Sequence, residues 1–230
     1  MSSAEMMKTQ VFYEPEKMLL EEKRIPIPNA EELLIKVKSV GICGSDVAYY
    51  YGKSALETSD GKGPLVLGHE FTGEVVAVGD QVGNRFSVGD RVVPNPVQAN
   101  PKSKWSMKGL PNLCNDKKVL GVSIDGGFAE YAISDCNWTY KIPSHVTYDQ
   151  GALTEPLACG LYAINNLNTS PDHTVVVYGP GPIGLMMVQV LKSRGVEKVI
   201  LVGTRDYRLE RGAELGADHV INISDSTSNH

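Results

Sequence analysis

No apolar run in this chain approaches the roughly 20 residues that a membrane-crossing helix needs. The opening "MSSAEMMKTQ" lacks the charged-then-apolar layout of a secretion signal. The expected address is therefore the cytoplasm, where thiols stay reduced. Cysteine is scarce: Cys43, Cys114, Cys136 and Cys159 are the four present, and no two form a CxxC pair. That excludes an ordinary zinc knuckle and predicts thiols or ligands rather than disulfides. Excess positive charge is missing too. The net charge is −5 and no basic patch stands out, so neither nucleic acid nor an anionic membrane surface is an expected partner. Internal repeats and low-complexity tracts are also absent.

What is present is an ordinary globular mix, 42% hydrophobic and 21% charged over 230 residues, enough for one large domain or two small ones. Two rhythms divide it. Up to about residue 145, short strand-like runs ("QVFYE", "MLLEEK", "ELLIKVKSV", "EFTGEVVAVG", "RVVPNP", "FAEYAI") alternate with turn residues, which predicts a barrel or sandwich. Thr147 and Gln150 then stand at capping-box spacing before "GALTEPLACGLYAINN", a predicted helix that Pro156 should kink or restart. "HTVVVYG" and "KVILVG" read as strands buried on both faces, and "HVINI" as a third strand. Between them, "PIGLMMVQVLKSRG" and "YRLERGAEL" read as helices, the second capped by Asp206 and each closed by a glycine. The second half is thus β-α-β-α-β, the start of a doubly wound parallel sheet.

"YGPGPIG" joins the first of those strands to its helix. Gly179, Gly181 and Gly184 fit G-x-G-x-x-G, with Pro182 and Ile183 opening the helix. The glycines suit a tight turn, close approach of a pyrophosphate, and close strand–helix packing; the helix N-terminus offers free N–H groups. The loop stands where that mechanism needs it, between strand and helix with a second strand following; the alternative is a packing turn in some other α/β protein. At the end of the second strand stand Gly203, Thr204 and Arg205. An NAD-binder usually places an acid there, whereas Thr204 and Arg205 can donate to a 2′-phosphate. This predicts NADP over NAD, unless Asp206 reaches the ribose instead.

Three short motifs carry candidate metal chemistry: "GICGSD" (Cys43, Ser45, Asp46), "GHE" (His69, Glu70) and "TEPLACG" (Glu155). A thiolate, an imidazole and a carboxylate suit zinc, and three protein ligands plus water describe a catalytic site. Singly, each residue has an ordinary reading: a small buried hydrophobe, a hydrogen-bonded core histidine, a rim carboxylate. Spacing alone does not join them in space.

"GHEFTGEVVAVGDQV" resembles the zinc signature of the medium-chain dehydrogenase/reductase family, at Gly68, His69, Glu70, Gly73, Gly79 and Val82. "VGICGSD", "GDRV", "GGFAEY", "EPLACG", "YGPGPIG" and "LGADHVI" follow in that family's order, from about Lys8 to about Ile223. The chain is most similar to the sorbitol, threonine and glucose dehydrogenase branch. The resemblance implies an α/β protein: a GroES-like β-rich catalytic domain over 1–165 and the first half of a Rossmann domain over 166–230. It implies Cys43 and His69 as zinc ligands, with Glu70 as the third. Glu155 would act as a ligand directly or through water. Asp46 would orient the His69 ring, and Ser45 would hold the substrate oxygen and relay its proton. The implied activity is hydride transfer between an alcohol or polyol and NADP or NAD, in a dimer or tetramer. A zinc-free quinone or enone reductase, or a non-catalytic protein on the same fold, stays open as an alternative.

Three departures from the family matter. The segment after "GDRV" keeps only Cys114 of four clustered cysteines, which predicts one catalytic zinc and no structural zinc. Ala48 stands where a relay histidine often follows the cysteine motif, beside Tyr49, Tyr50 and Tyr51, which either line the pocket or pack. Related chains run to roughly 350 residues. The sequence therefore reads as a fragment, expected to turn over poorly and to associate through an exposed strand edge.

Overall fold

Strands β1 (Met6–Glu14) and β2 (Lys17–Arg24) form the first hairpin of the computed structural model, which describes residues 5–224. The chain then runs β3 (Glu32–Gly41), α1 (Gly44–Tyr50), β4 (Leu65–Val66), β5 (Glu70–Val78) and β6 (Arg91–Pro94). Next come β7 (Val97–Gln98), β8 (Lys118–Val119), β9 (Tyr131–Asp135) and β10 (Thr139–Lys141). Helices α2 (Tyr148–Ala152) and α3 (Thr154–Asn166) follow, then β11 (Thr174–Tyr178), α4 (Pro182–Ser193), β12 (Lys198–Gly203), α5 (Asp206–Glu214) and β13 (His219–Asn222). Contacts divide the chain into two units between Glu155 and Pro156, within α3; the division expected near residue 165 falls at the far end of that helix.

The first unit is built on two antiparallel sheets, β2-β1-β4 and β10-β6-β5-β3-β9, with a small β7-β8 pair. Alternation puts Leu33 and Ile35 of β3 and Phe71 and Val75 of β5 into one core with Val92 and Leu120. Each such fully buried side chain contributes about 1.5–3 kcal/mol. In the β3–β5 ladder, Glu70 pairs with Gly41, two residues before Cys43. The strand expected over "FAEYAI" is shorter, starting at Tyr131. Backbone N–H groups of Gly126, Gly127 and Phe128 instead bond to the carbonyls of Val66, Gly68 and Leu67, bracing the loop that presents His69.

The capping box at Thr147 forms: its hydroxyl accepts from the Gln150 N–H, and the Gln150 side chain from the Thr147 N–H. The helix breaks at Leu153, and Pro156 sits in the first turn of α3, where a missing N–H leaves no intrahelical bond unmade.

The second unit is a parallel three-stranded sheet, β11-β12-β13, with α4 and α5 as crossovers. Val177, Val199 and Leu201 pack with Ile164, Val188, Leu191 and Leu209. β12 is mostly buried as expected, but β11 is not buried on both faces: Val176 is 44% and Tyr178 79% exposed. β11 is an edge strand, and its alternate residues point away from the cluster that covers the other face. Asp206 does not cap α5. The N-cap is Arg205, with no side-chain capping bond, while the Asp206 carboxylate accepts from the Asn222 amide. Among the described residues no helix is long and apolar enough to cross a membrane.

Candidate metal centre

The loop between β3 and α1 and the loop before β5 deliver three donors to one place. A thiol sulfur of Cys43, a ring nitrogen of His69 and a carboxylate oxygen of Glu70 all lie within 4.8 Å of one another. Tetrahedral zinc needs such donors roughly 3.3–3.8 Å apart, a small side-chain adjustment away. His69 is 9% and Glu70 8% exposed, a costly burial for both. Glu70 has room because Gly41 lacks a side chain: a Cβ there would overlap the Glu70 carboxylate.

Asp46 is the support. It is 3% exposed, in the first turn of α1. Its Oδ2 accepts from the Cys43 N–H at 2.8 Å and its Oδ1 from the Gly68 N–H at 3.4 Å, so one carboxylate ties the Cys43 loop to the His69 loop. Oδ1 also faces His69 Nδ1 at 3.7 Å, beyond hydrogen-bonding range, and that buried nitrogen has no hydrogen-bond partner. Burial pushes the Asp46 carboxyl upward, with the two N–H donors and the His69 charge pulling the other way. For His69, burial pulls the pKa down. A hydrogen bond with Cys43 and the charges of Asp46, Cys43 and Glu155 outweigh it and raise the pKa to about 9. An imidazole set among a thiol and carboxylates at this strength of negative field is an environment that also favours a bound dication. The residues therefore fit zinc by donor type, spacing and field.

Ser45 is half-buried beside Asp46 on α1. Glu155, at the start of α3, is half-buried and close enough for its charge to act on His69. Tyr49 packs against the Phe12, Leu56, Leu65 and Leu67 cluster, and burial raises its pKa. Tyr50 and Tyr51 meet edge to face.

In the second unit, Gly179 has φ +98°, a conformation that favours glycine, and a Cβ at Gly179 or Gly181 would meet nothing within 4 Å. That open backbone precedes α4, whose N-cap is Gly181 with Pro182 at its first position. Ile183 is exposed, and Gly184 is buried where a Cβ would overlap the Gly179 carbonyl. Gly203 ends β12 against Pro180, whose ring a Cβ would strike. Packing therefore demands glycine at 203 whatever the cofactor, which removes part of the sequence argument from that position. Thr204 and Arg205 are exposed just beyond it.

Sequence reasoning missed Tyr207 and Arg208. With Pro180, Pro182, Leu185 and Arg211 they line a hollow of about 230 Å³. Hydrogen bonds from Arg205 and then Arg208 lower the Tyr207 pKa. The i, i+3 spacing of Arg205 and Arg208 on a helix start was the available signal.

The sequence matches the family described as alcohol dehydrogenase GroES-like domain over residues 29–144 and that described as zinc-binding dehydrogenase over 182–229. It is 36% identical to the sorbitol dehydrogenase of Bacillus subtilis strain 168 over 218 residues, covering 94% of this chain and 61% of that one. Among solved structures, an alcohol dehydrogenase (rspB) of Escherichia coli CFT073 in complex with NADH shares 40% identity at a TM-score of 0.88, over 96% of this chain and 64% of that one. A protein of Sinorhizobium meliloti 1021 classed with zinc-binding dehydrogenases and bound to NADP shares 32% identity at 0.88, over 96% and 63%. The chain thus spans somewhat over 60% of the length of these relatives. With its ligand triangle inside the first matched segment and its glycine loop at the edge of the second, the chain belongs to the zinc-type alcohol dehydrogenase family of the medium-chain dehydrogenases.

Proposed function

We propose that this chain carries the zinc site and the first dinucleotide-binding strands of an oxidoreductase that moves a hydride between an alcohol or polyol and NAD(P), with NADP preferred. The observation that carries the reading is the Cys43, His69 and Glu70 triangle. The sorbitol dehydrogenase among its relatives supports the polyol class. Zinc held there would supply Lewis acidity toward an alcohol oxygen, and a bound nicotinamide would supply the hydride acceptor.

The chain's own residues do the rest. Cys43 and His69 bind the ion, Glu70 is the third ligand, and Glu155 completes the set directly or through water. Asp46 holds the His69 loop and the Cys43 loop in register through its two N–H bonds, with its carboxylate facing the His69 ring. Ser45 Oγ accepts a hydrogen bond from the substrate hydroxyl and, as that proton arrives, gives up its own to water or the cofactor's ribose hydroxyls. Gly179, Gly181, Pro182, Ile183 and Gly184 present the N-terminus of α4 to a pyrophosphate. Thr204 and Arg205, with Arg208, donate to a 2′-phosphate. Relatives hold NADH or NADP, so the arginines, not Gly203, support the choice. One zinc per chain is expected. Cys114, the remaining cysteine of the lobe, already shares its thiol with Ser103 Oγ at 2.6 Å and Ser106 Oγ at 3.5 Å.

Elemental analysis should find one zinc per chain, and close to none in Cys43→Ala or His69→Ala. Two per chain, or full occupancy without Cys43, defeats the site. Fluorescence titration should show NADPH binding tighter than NADH. Arg205→Ala should weaken NADPH by roughly 10- to 100-fold, as for loss of a charged hydrogen bond, with NADH unchanged. Tighter NADH defeats the NADP reading.

A further inference from the structure

Whole-chain charge hides a local feature of the first unit. The β7–β8 pair (Val97↔Val119, Gln98↔Lys118) closes a lobe over residues 99–117. Residues 100–118 hold five lysines, Lys102, Lys104, Lys108, Lys117 and Lys118, against one acid, Asp116. The segment is therefore +4 in a chain of −5, and the remainder carries −9. Four of the lysines are exposed and Lys117 is half-buried. None of the five forms an ion pair among the described residues.

The same lobe exposes apolar groups: Met107 is 78%, Leu113 46% and Leu110 40% exposed. The ammoniums of Lys104 and Lys108 lie 5.1 and 5.8 Å from the centre of the half-buried Trp105 ring. The display is ordered by its own backbone, with Met107 N–H bonded to Ser103 O, Leu110 N–H to Trp105 O, and Cys114 N–H to Pro111 O. Cys114 alone in the segment is buried.

Five unpaired cations, two of them beside an indole, with exposed aliphatic groups on the same lobe, match the chemistry of an anionic bilayer surface. Ammonium groups meet the headgroup charges, the indole sits at the interface, and Met and Leu reach the acyl boundary. We infer that this lobe docks the chain reversibly on an anionic lipid surface. The charge of the lobe complements such a surface, and the −9 elsewhere repels it, so one orientation is selected. A nucleic acid would satisfy the lysines but leave Met107, Leu110 and Leu113 without an apolar environment. The inference is independent of the zinc and cofactor reading.

Cosedimentation with vesicles tests it, using phosphatidylcholine alone and equal parts phosphatidylserine and phosphatidylcholine. The chain should bind the mixed vesicles, release with added salt, and ignore phosphatidylcholine. Each lysine contributes about fivefold near such a surface, so the triple variant Lys102→Gln, Lys104→Gln, Lys108→Gln should bind about 100-fold more weakly. The double variant Met107→Ser, Leu110→Ser keeps every charge and should also bind more weakly. Circular dichroism and zinc content matching the parent show that both variants fold. Equal binding to the two vesicles, or unchanged binding by the triple variant, overturns the inference. So does self-association or RNA binding that the triple variant loses in a chain that ignores the vesicles.

Discussion

Replacing Asp46 by asparagine removes one charge and almost no volume. The carboxylate now accepts two backbone N–H bonds and faces His69 Nδ1. An asparagine has one acceptor oxygen. It would keep the shorter bond to the Cys43 N–H and turn its amide NH₂ toward the Gly68 N–H, donor against donor. Losing a charged, buried hydrogen bond costs about 1.5–3 kcal/mol, and the Gly68 N–H is left unmatched. The link between the two ligand loops is thereby cut, and zinc affinity should fall about 10- to 100-fold. One effect opposes this: without the Asp46 charge the His69 pKa drops, so protons compete less for the ring at neutral pH. A zinc titration against a chromophoric chelator at pH 7 and again above pH 9 separates the two. The deficit should be larger at the higher pH, where His69 is deprotonated in both proteins. Equal affinities at both pH values would refute the argument that Asp46 positions the ligands.

Two further outcomes are expected. In zinc-free protein the His69 pKa is raised above its ordinary value, so its contribution to stability is complete below pH 6.5 and is lost as pH rises through about 9. Urea unfolding with chelator should show a decline of up to roughly 3 kcal/mol over that window, absent in His69→Gln. Gly184→Ala should destabilise the second unit by about 1–3 kcal/mol, because its Cβ overlaps the Gly179 carbonyl and the glycine loop must shift. Thermal unfolding and NADPH titration should both register the change.

The repeating patterns were legible in the chain itself. Alternation in Glu32–Gly41 and Glu70–Val78, the box at Thr147 and Gln150, and the strand–glycine–helix order around Gly181 each depend on neighbours a few residues apart. Such local preferences act whatever the rest of the chain does, so sequence determines them. The meeting of Cys43 with His69 and Glu70 is of another kind. It depends on the ladder that sets Glu70 against Gly41 and on the Asp46 carboxylate that bridges two loops 22 residues apart. Tertiary packing also decided that Gly203 answers to Pro180 and that Tyr207, Arg208 and Arg211 meet at one hollow. Composition averaged the lysines of the 99–117 lobe into an acidic total, and only the folded lobe sets two of them, Lys104 and Lys108, beside one indole. Short-range backbone preference is written residue by residue, whereas proximity across the chain exists only once the sheets have closed.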